Sequence, residues 1–169
     1  MKSLFSDGSG DNIKRIVIDE ISTVRCDLLA AIDMQLRVAK RTLKPFGGIQ
    51  IVLVGDFYQL SPIVKRNTTE ANLIFSEFKS MYSFDTQSWR EAELETIQLD
   101  QVMRQTDEVF ITALNSIRTR DKDYIKSLEF LNSKGLEDKE DGEHIYLCAT
   151  NRSAEVVNSY YFDELEGKT

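Results

Sequence analysis

Two short apolar runs, each halted by acidic residues and separated by one helical segment, constrain this chain more than any other feature. Arg15-Ile16-Val17-Ile18 stops at Asp19-Glu20, and Ile49–Val54 stops at Gly55-Asp56. Runs of this length, rich in Ile and Val, fit strands buried in a parallel sheet. Between them Leu28, Leu29, Ile32 and Leu36 recur at helical spacing, with Asp33 and Arg37 as an i,i+4 pair. That spacing predicts a helix from about Cys26 to Lys40. Lys44-Pro45-Phe46-Gly47-Gly48 then breaks the pattern before the second run. Strand, helix, strand implies two parallel strands joined by a right-handed crossover, and an α/β fold with a parallel sheet.

The remainder extends the pattern. Asn72–Met81 and Thr86–Ala92 read as short helices, and Leu94–Leu99 as a third strand. Thr106 is placed as the N-cap of a helix with Asp107 and Glu108 in its first turn and Val109, Phe110, Ala113, Leu114 and Ile117 as its apolar stripe. Asp123–Leu131 reads as a further helix and Ile145–Ala149 as a fourth strand, and Thr150 caps a last helix running to about Leu165. Residues 1–12 read as a polar lead, and Glu137–Glu143 as a solvated acidic loop.

Composition narrows the class. The 169 residues are 41% hydrophobic and 29% charged, ordinary values for a globular domain with a sizeable core. No apolar run approaches the roughly 18 residues of a membrane span, and the N-terminus has no apolar stretch of secretory type, so the expected location is cytoplasmic (intracellular; nuclear or mitochondrial if the source is eukaryotic). Cys26, Cys148 and His144 have no metal-ligand spacing and are expected to be plain thiols and an ordinary histidine. The net charge of -7 is a poor electrostatic footprint for a free-standing nucleic-acid binder.

Ligands of parallel α/β sheets sit outside the carboxyl ends of the strands. Asp19 is suited to hold Mg²⁺ through water, and Glu20 to orient or deprotonate an attacking water. Buried strands also end in exposed acids for purely structural reasons. Gly55-Asp56 offers a second carboxylate at the same sheet edge, and Gln59 adds a neutral donor and acceptor within reach of a phosphate or a water. Phe57 and Tyr58 can stack a base or plug the loop onto the core. Arg104 can reach a phosphate bidentately or pair with a surface acid such as Asp100.

The strings IVIDEIS, GGIQIVLVGDFYQLSPIV, LDQVMRQTDEVFITALNSIR and ATNRSAEVVNSYYFDEL, in this order, resemble the RecD/Pif-type DNA helicases of superfamily one over about residues 13–166. The resemblance implies a RecA-like P-loop NTPase core. Asp19-Glu20 then resembles the Walker B pair, with Asp19 on the Mg²⁺ shell and Glu20 as catalytic base. Gly55, Asp56 and Gln59 resemble the third helicase motif, whose Gln senses the γ-phosphate. Arg104 and Gln105 resemble the fourth, whose arginine helps stabilise γ-phosphate charge. Thr150-Asn151 resembles the start of the second RecA-like domain, and with Phe57 and Tyr58 it is implied to meet single-stranded DNA. ATP and Mg²⁺ are the implied cofactors, and single-stranded DNA the implied partner, tracked from the five-prime toward the three-prime end. Ser61 stands where this family usually has proline, and Tyr58 where it commonly has phenylalanine.

No G-x-x-x-x-G-K-S/T occurs in the 169 residues. The expectation is therefore an internal helicase segment: a lead at 1–12, a partial first RecA-like domain at 13–140 that lacks the phosphate-loop strand, and the start of a second at 141–169. By itself this segment is expected to be inactive and prone to self-association. The rival readings are another P-loop nucleoside triphosphatase and a non-catalytic remnant or binding module of the same fold.

Overall fold

The computed structural model describes residues 13–65, 67–134 and 145–165. The polar lead, the acidic loop and His144 lie outside the described residues. β1, Arg15–Ile18, and β2, Gln50–Leu53, pair in parallel, with Arg15 opposite Gln50 and Ile18 opposite Leu53. Ladder-like bonds continue past the strand ends: Val54 N donates to Ile18 O at 2.9 Å, and Ile21 N to Val54 O at 2.9 Å. These carry the pairing into the acidic residues that follow each strand.

Helix α1, Cys26–Lys40, makes the crossover with the predicted bounds. Asp27 lies in its first turn and Arg37 and Lys40 in its last, which complements the helix dipole. Its buried face is Cys26, Leu29, Asp33 and Leu36; Leu28, expected on the apolar stripe, is exposed. Leu29 and Leu36 meet Ile21, Phe46 and Ile49 in the core, and Ile16, Ile18, Ile51 and Leu53 of the sheet pack against that cluster.

The Asp33–Arg37 pair forms at 2.8 Å. Asp33 is buried and Arg37 half-buried, and Asp33 has a second task. Its Oδ1 accepts the Phe46 N–H at 2.6 Å, while Arg37 reaches the Leu43 carbonyl at 2.6 Å and Glu91 at 2.9 Å. A buried carboxylate is tolerated only when paired and hydrogen-bonded. Here that pairing holds Phe46, at the left-handed φ of 51°, in the Pro45–Gly48 turn that leads into β2.

Gly47 follows at φ 66°, and a Cβ there would lie 2.5 Å from the Leu36 carbonyl oxygen. Gly48, at φ 74°, has only the flexible Lys44 side chain near it, at 3.6 Å. Both Ala variants carry the left-handed cost of about 1–2 kcal/mol, but only Gly47→Ala adds a backbone clash. Urea melts are expected to show Gly47→Ala at least twice as destabilising as Gly48→Ala; equal losses would mean that the approach to Leu36 is not tight.

Beyond β2, helix α2, Thr69–Glu77, is capped by Thr68, whose Oγ1 accepts from Ala71 N at 3.1 Å. It starts and ends earlier than expected because Thr68 offers a hydroxyl cap at that point. Thr86 likewise caps α3, Gln87–Glu91, by accepting from Trp89 N at 3.2 Å. Helix α4, Glu108–Thr119, is capped by Asp107 rather than Thr106: the carboxylate accepts from Val109 N at 3.0 Å and Phe110 N at 3.1 Å. Of its expected stripe only Ala113 is fully buried. Helix α5 spans Tyr124–Ser133 and α6 spans Asn151–Glu164.

Two expected strands are absent. Leu94–Leu99 is irregular, with Leu99 89% exposed, and Ile145–Ala149 is irregular, with Leu147 99% exposed. A strand exists only if a neighbour takes its backbone N–H and C=O groups, and among the described residues the sheet consists of β1 and β2. The chain divides into two compact units, Met1–Ser127 and Leu128–Thr169. In the second, the Tyr146 and Tyr161 hydroxyls are 2.7 Å apart and their rings stack. No helix among the described residues is long and apolar enough to cross a membrane.

Candidate functional site

The carboxyl ends of β1 and β2 lie side by side, so the residues after each strand share one sheet edge. After β1, Glu20 takes a left-handed conformation, φ 50° and ψ 42°, at the head of a short 3₁₀ turn over Ile21–Thr23. Its N–H donates to Asp19 Oδ1 at 2.9 Å, and its carbonyl accepts from Thr23 N and from Thr23 Oγ1, each at 2.9 Å. A glutamate in this region costs roughly 1 kcal/mol, held here by the turn behind it. Both acidic side chains are exposed, and among the described residues no hydrogen bond or ion pair reaches the Glu20 carboxylate.

Gly55 follows from the close approach of the two strand ends. A Cβ at Gly55 would stand 2.9 Å from Ile21 N and 3.0 Å from Ile21 Cγ2. Next, Asp56 gathers four donors. Arg118 Nε donates to its Oδ2 at 2.8 Å and Arg118 Nη2 to its Oδ1 at 3.3 Å. Tyr58 N donates to Oδ1 at 3.0 Å and Gln59 Nε2 to Oδ2 at 3.2 Å. The Arg118 guanidinium, foremost, and then the Tyr58 N–H and the Gln59 amide hold the Asp56 carboxyl below the usual carboxylate range, against the opposing effect of partial burial.

A carboxyl whose folded pKa is depressed contributes stability above the unfolded value and loses it as pH falls through the folded one. The melting temperature of Asp56→Asn is therefore expected to lie a few degrees below that of the unsubstituted chain at neutral pH. That gap should close below the ordinary carboxylate range. A gap that does not change with pH would show that the charge on Asp56 contributes nothing.

The two aromatic residues separate. Phe57 is half-buried, edge-on to Phe84 at 5.0 Å, Trp89 at 6.0 Å and Tyr82 at 6.2 Å, so it plugs the loop onto the body of the unit. Tyr58 is 66% exposed and carries the Arg118 guanidinium 4.8 Å from its ring centre. Gln59 is exposed beyond it.

Arg104 and Gln105 lie in the exposed irregular segment before α4. Among the described residues no ion pair joins Arg104 to Asp100, and none brings it to the two strand ends. Thr150 caps α6 by accepting from Ser153 N at 3.2 Å, and Asn151 is the exposed first residue of that helix, both in the second unit. Arg118 is the participant that sequence reasoning missed. It sits 62 residues from Asp56 in the chain and carries no local signal of that contact.

Among the described residues no cluster of three or more His, Cys, Asp or Glu could hold a metal on protein ligands alone. One exposed carboxylate, with water and phosphate completing the shell, suits Mg²⁺. A cleft of about 740 Å³ opens between the start of α1 and the 60–63 loop, but none of Asp19, Glu20, Asp56 or Gln59 lines it. Arg25 on its wall is already bonded to Asp27 at 2.7 Å and Glu70 at 2.8 Å. The strand edge, with its free carboxylate, is the better candidate.

The family model described as PIF1-like helicase matches residues 8–132. Among curated proteins, the "ATP-dependent DNA helicase PIF1" of Rattus norvegicus is 36% identical over 63% of this chain and 15% of its own length. The "ATP-dependent DNA helicase RRM3" of Saccharomyces cerevisiae is 34% identical over 91% of this chain and 20% of its own length. The chain thus spans a fifth or less of these relatives. Among solved structures, the Pif1 helicase from Bacteroides in complex with ADP-AlF3 and ssDNA matches with a TM-score of 0.82 and 27% identity, over 99% of this chain and 40% of that one. The Pif1 helicase from Candida albicans matches with a TM-score of 0.70 and 30% identity, over 92% of this chain and 33% of that one.

Proposed function

Because the chain belongs to the PIF1-like helicase family and has the α/β, RecA-like core of that family, we propose that it is the hydrolysis and coupling segment of an ATP-dependent DNA helicase moving five-prime to three-prime on single-stranded DNA. The observation that carries the reading is the shared edge. Two parallel strands deliver Asp19-Glu20 and Gly55-Asp56-Gln59 side by side, tied by the Ile21–Val54 bond at 2.9 Å.

In this reading Asp19, its Oδ1 turned back to the Glu20 N–H, would hold Mg²⁺ through water, and the bound ion would supply charge neutralisation at the phosphates. Glu20, whose carboxylate no described residue bonds, takes the proton of the attacking water. Gln59 presents its amide to the γ-phosphate or that water. Arg104 and Gln105 reach the same phosphate, which places part of their work in a closed state. Tyr58 offers an exposed ring for a base, whereas Phe57 acts from below as a support. Residues 141–169, with Thr150 and Asn151, form the start of the second RecA-like domain and its DNA-facing side.

These 169 residues contain no G-x-x-x-x-G-K-S/T, so a phosphate cradle would have to be supplied by other residues. A backbone cradle and its lysine hold the β- and γ-phosphates in place, and general-base assistance acts only on a substrate already held in line. The 169-residue polypeptide alone is therefore expected to show no ATP turnover above a Glu20→Gln control in a coupled assay. DNA-stimulated turnover that the Gln variant abolishes would overturn that expectation.

The proposal itself is tested in a chimera: residues 13–134 replace the matching segment of the Bacteroides helicase. Unwinding of a duplex with a five-prime single-stranded tail, and not of one with a three-prime tail, is the expected result. A folded chimera that binds single-stranded DNA but neither hydrolyses ATP nor unwinds would remove the functional assignment.

A further inference from the structure

The contact between Arg118 and Asp56 is not explained by hydrolysis, and only in small part by stability. A half-exposed ion pair contributes little to folding, yet this one is a two-toothed fork closed across 62 residues of chain. An ionised carboxylate has about four acceptor positions. All four are used here: Oδ2 by Arg118 Nε and Gln59 Nε2, and Oδ1 by Arg118 Nη2 and Tyr58 N. With every position taken, the Asp56 carboxylate has one orientation. The Tyr58 ring beneath the guanidinium, at 4.8 Å, fixes the fork from the other side. Gln59 is doubly attached to the same residue, through its side chain and through its N–H on the Asp56 carbonyl at 3.0 Å. Its amide nitrogen points inward to Asp56, so its carbonyl oxygen and one N–H remain to face outward.

We propose that Arg118 is a positioning residue: from the last turn of α4 it locks the Asp56 carboxylate and, through it, the outward-facing amide of Gln59. The consequence is a mechanical tie between α4, the helix that begins just after Arg104-Gln105, and the loop that follows β2. A lysine could supply the charge but not the fork. This role rests on the function proposed above for Gln59.

The test is nuclear magnetic resonance on the uniformly ¹⁵N,¹³C-labelled helicase chimera. The two Gln59 Nε2 protons should be well separated in shift and should move together with the Asp56 carboxyl as it titrates. In Arg118→Ala the pair should collapse toward free-glutamine values and Asp56 should titrate higher, while backbone amides of α1 keep their shifts. Arg118→Lys should fall between the two, and it serves as the comparison if the alanine variant loses its α1 pattern. A Gln59 pair unchanged in both variants would overturn the positioning role.

Turnover in the chimera separates this failure from failure of the underlying reading. Arg118→Ala should slow ATP turnover about tenfold, with less than threefold change in KM, and should add nothing in a Gln59→Ala background, because coupled groups are non-additive. Additive losses would sink the Arg118 role alone. Full turnover in Gln59→Ala would sink the hydrolytic reading, and the role with it.

Discussion

Arg104→Ala in the helicase chimera is expected to slow ATP turnover at least a hundredfold while nucleotide affinity changes less than threefold. Arginines that neutralise charge on a transferring phosphoryl group are worth ~10³–10⁵ in rate, because they bind the transition state better than the ground state. Arg104 is free to play that part: it is exposed, in an irregular segment, with no ion pair to Asp100 among the described residues. A side chain already committed to a surface acid would first have to abandon that partner. The split between rate and affinity is the diagnostic, since loss of simple phosphate binding would weaken both together. Turnover within threefold of the unsubstituted protein would return Arg104 to an ordinary surface role.

The second large effect is expected at Glu20. Glu20→Gln keeps size and polarity but cannot accept the water's proton, and general-base assistance is worth ~10²–10⁴. The variant should bind nucleotide and single-stranded DNA normally and turn over at least a hundredfold more slowly. Its conformation argues for the same role. The residue is left-handed, at φ 50°, with its side chain exposed, and the Thr23 bonds to its carbonyl hold it there. A variant that lost turnover only because the turn collapsed would also melt earlier, so the two explanations are separated by calorimetry. Gln at this position retains the backbone bonds, and its melting temperature should be unchanged.

The half of the fold that positions these residues was legible in the sequence for local reasons. Arg15–Ile18 and Ile49–Val54 are apolar runs bounded by acids and a Pro-Gly break, and the helix between them repeats at 3.6 residues. Both signals lie within single segments. What failed depends on partners elsewhere in the chain. Leu94–Leu99 and Ile145–Ala149 have strand-like composition, but no described strand takes their backbone bonds. The i,i+4 spacing of Asp33 and Arg37 announced their pair, but says nothing of the Phe46 N–H that Asp33 also accepts. At the start of α4 two candidate caps stand in a row, Thr106 and Asp107, and propensity alone does not choose between them. The candidate site divides the same way: its strand-end acids were visible as sequence, whereas the Arg118 fork, 62 residues away, was not.

In the proposed function, nucleotide is hydrolysed at the shared edge of β1 and β2. A crystal structure of the chimera with ADP, aluminium fluoride, Mg²⁺ and single-stranded DNA measures this most directly. The expected result is the fluoride mimic of the transferring phosphate beside that edge, with a Glu20 carboxylate oxygen within hydrogen-bond distance of the in-line water and the Gln59 amide touching the mimic or that water. A nucleotide seated elsewhere, such as the cleft between α1 and the 60–63 loop, with Glu20 and Gln59 both facing bulk solvent, would contradict it.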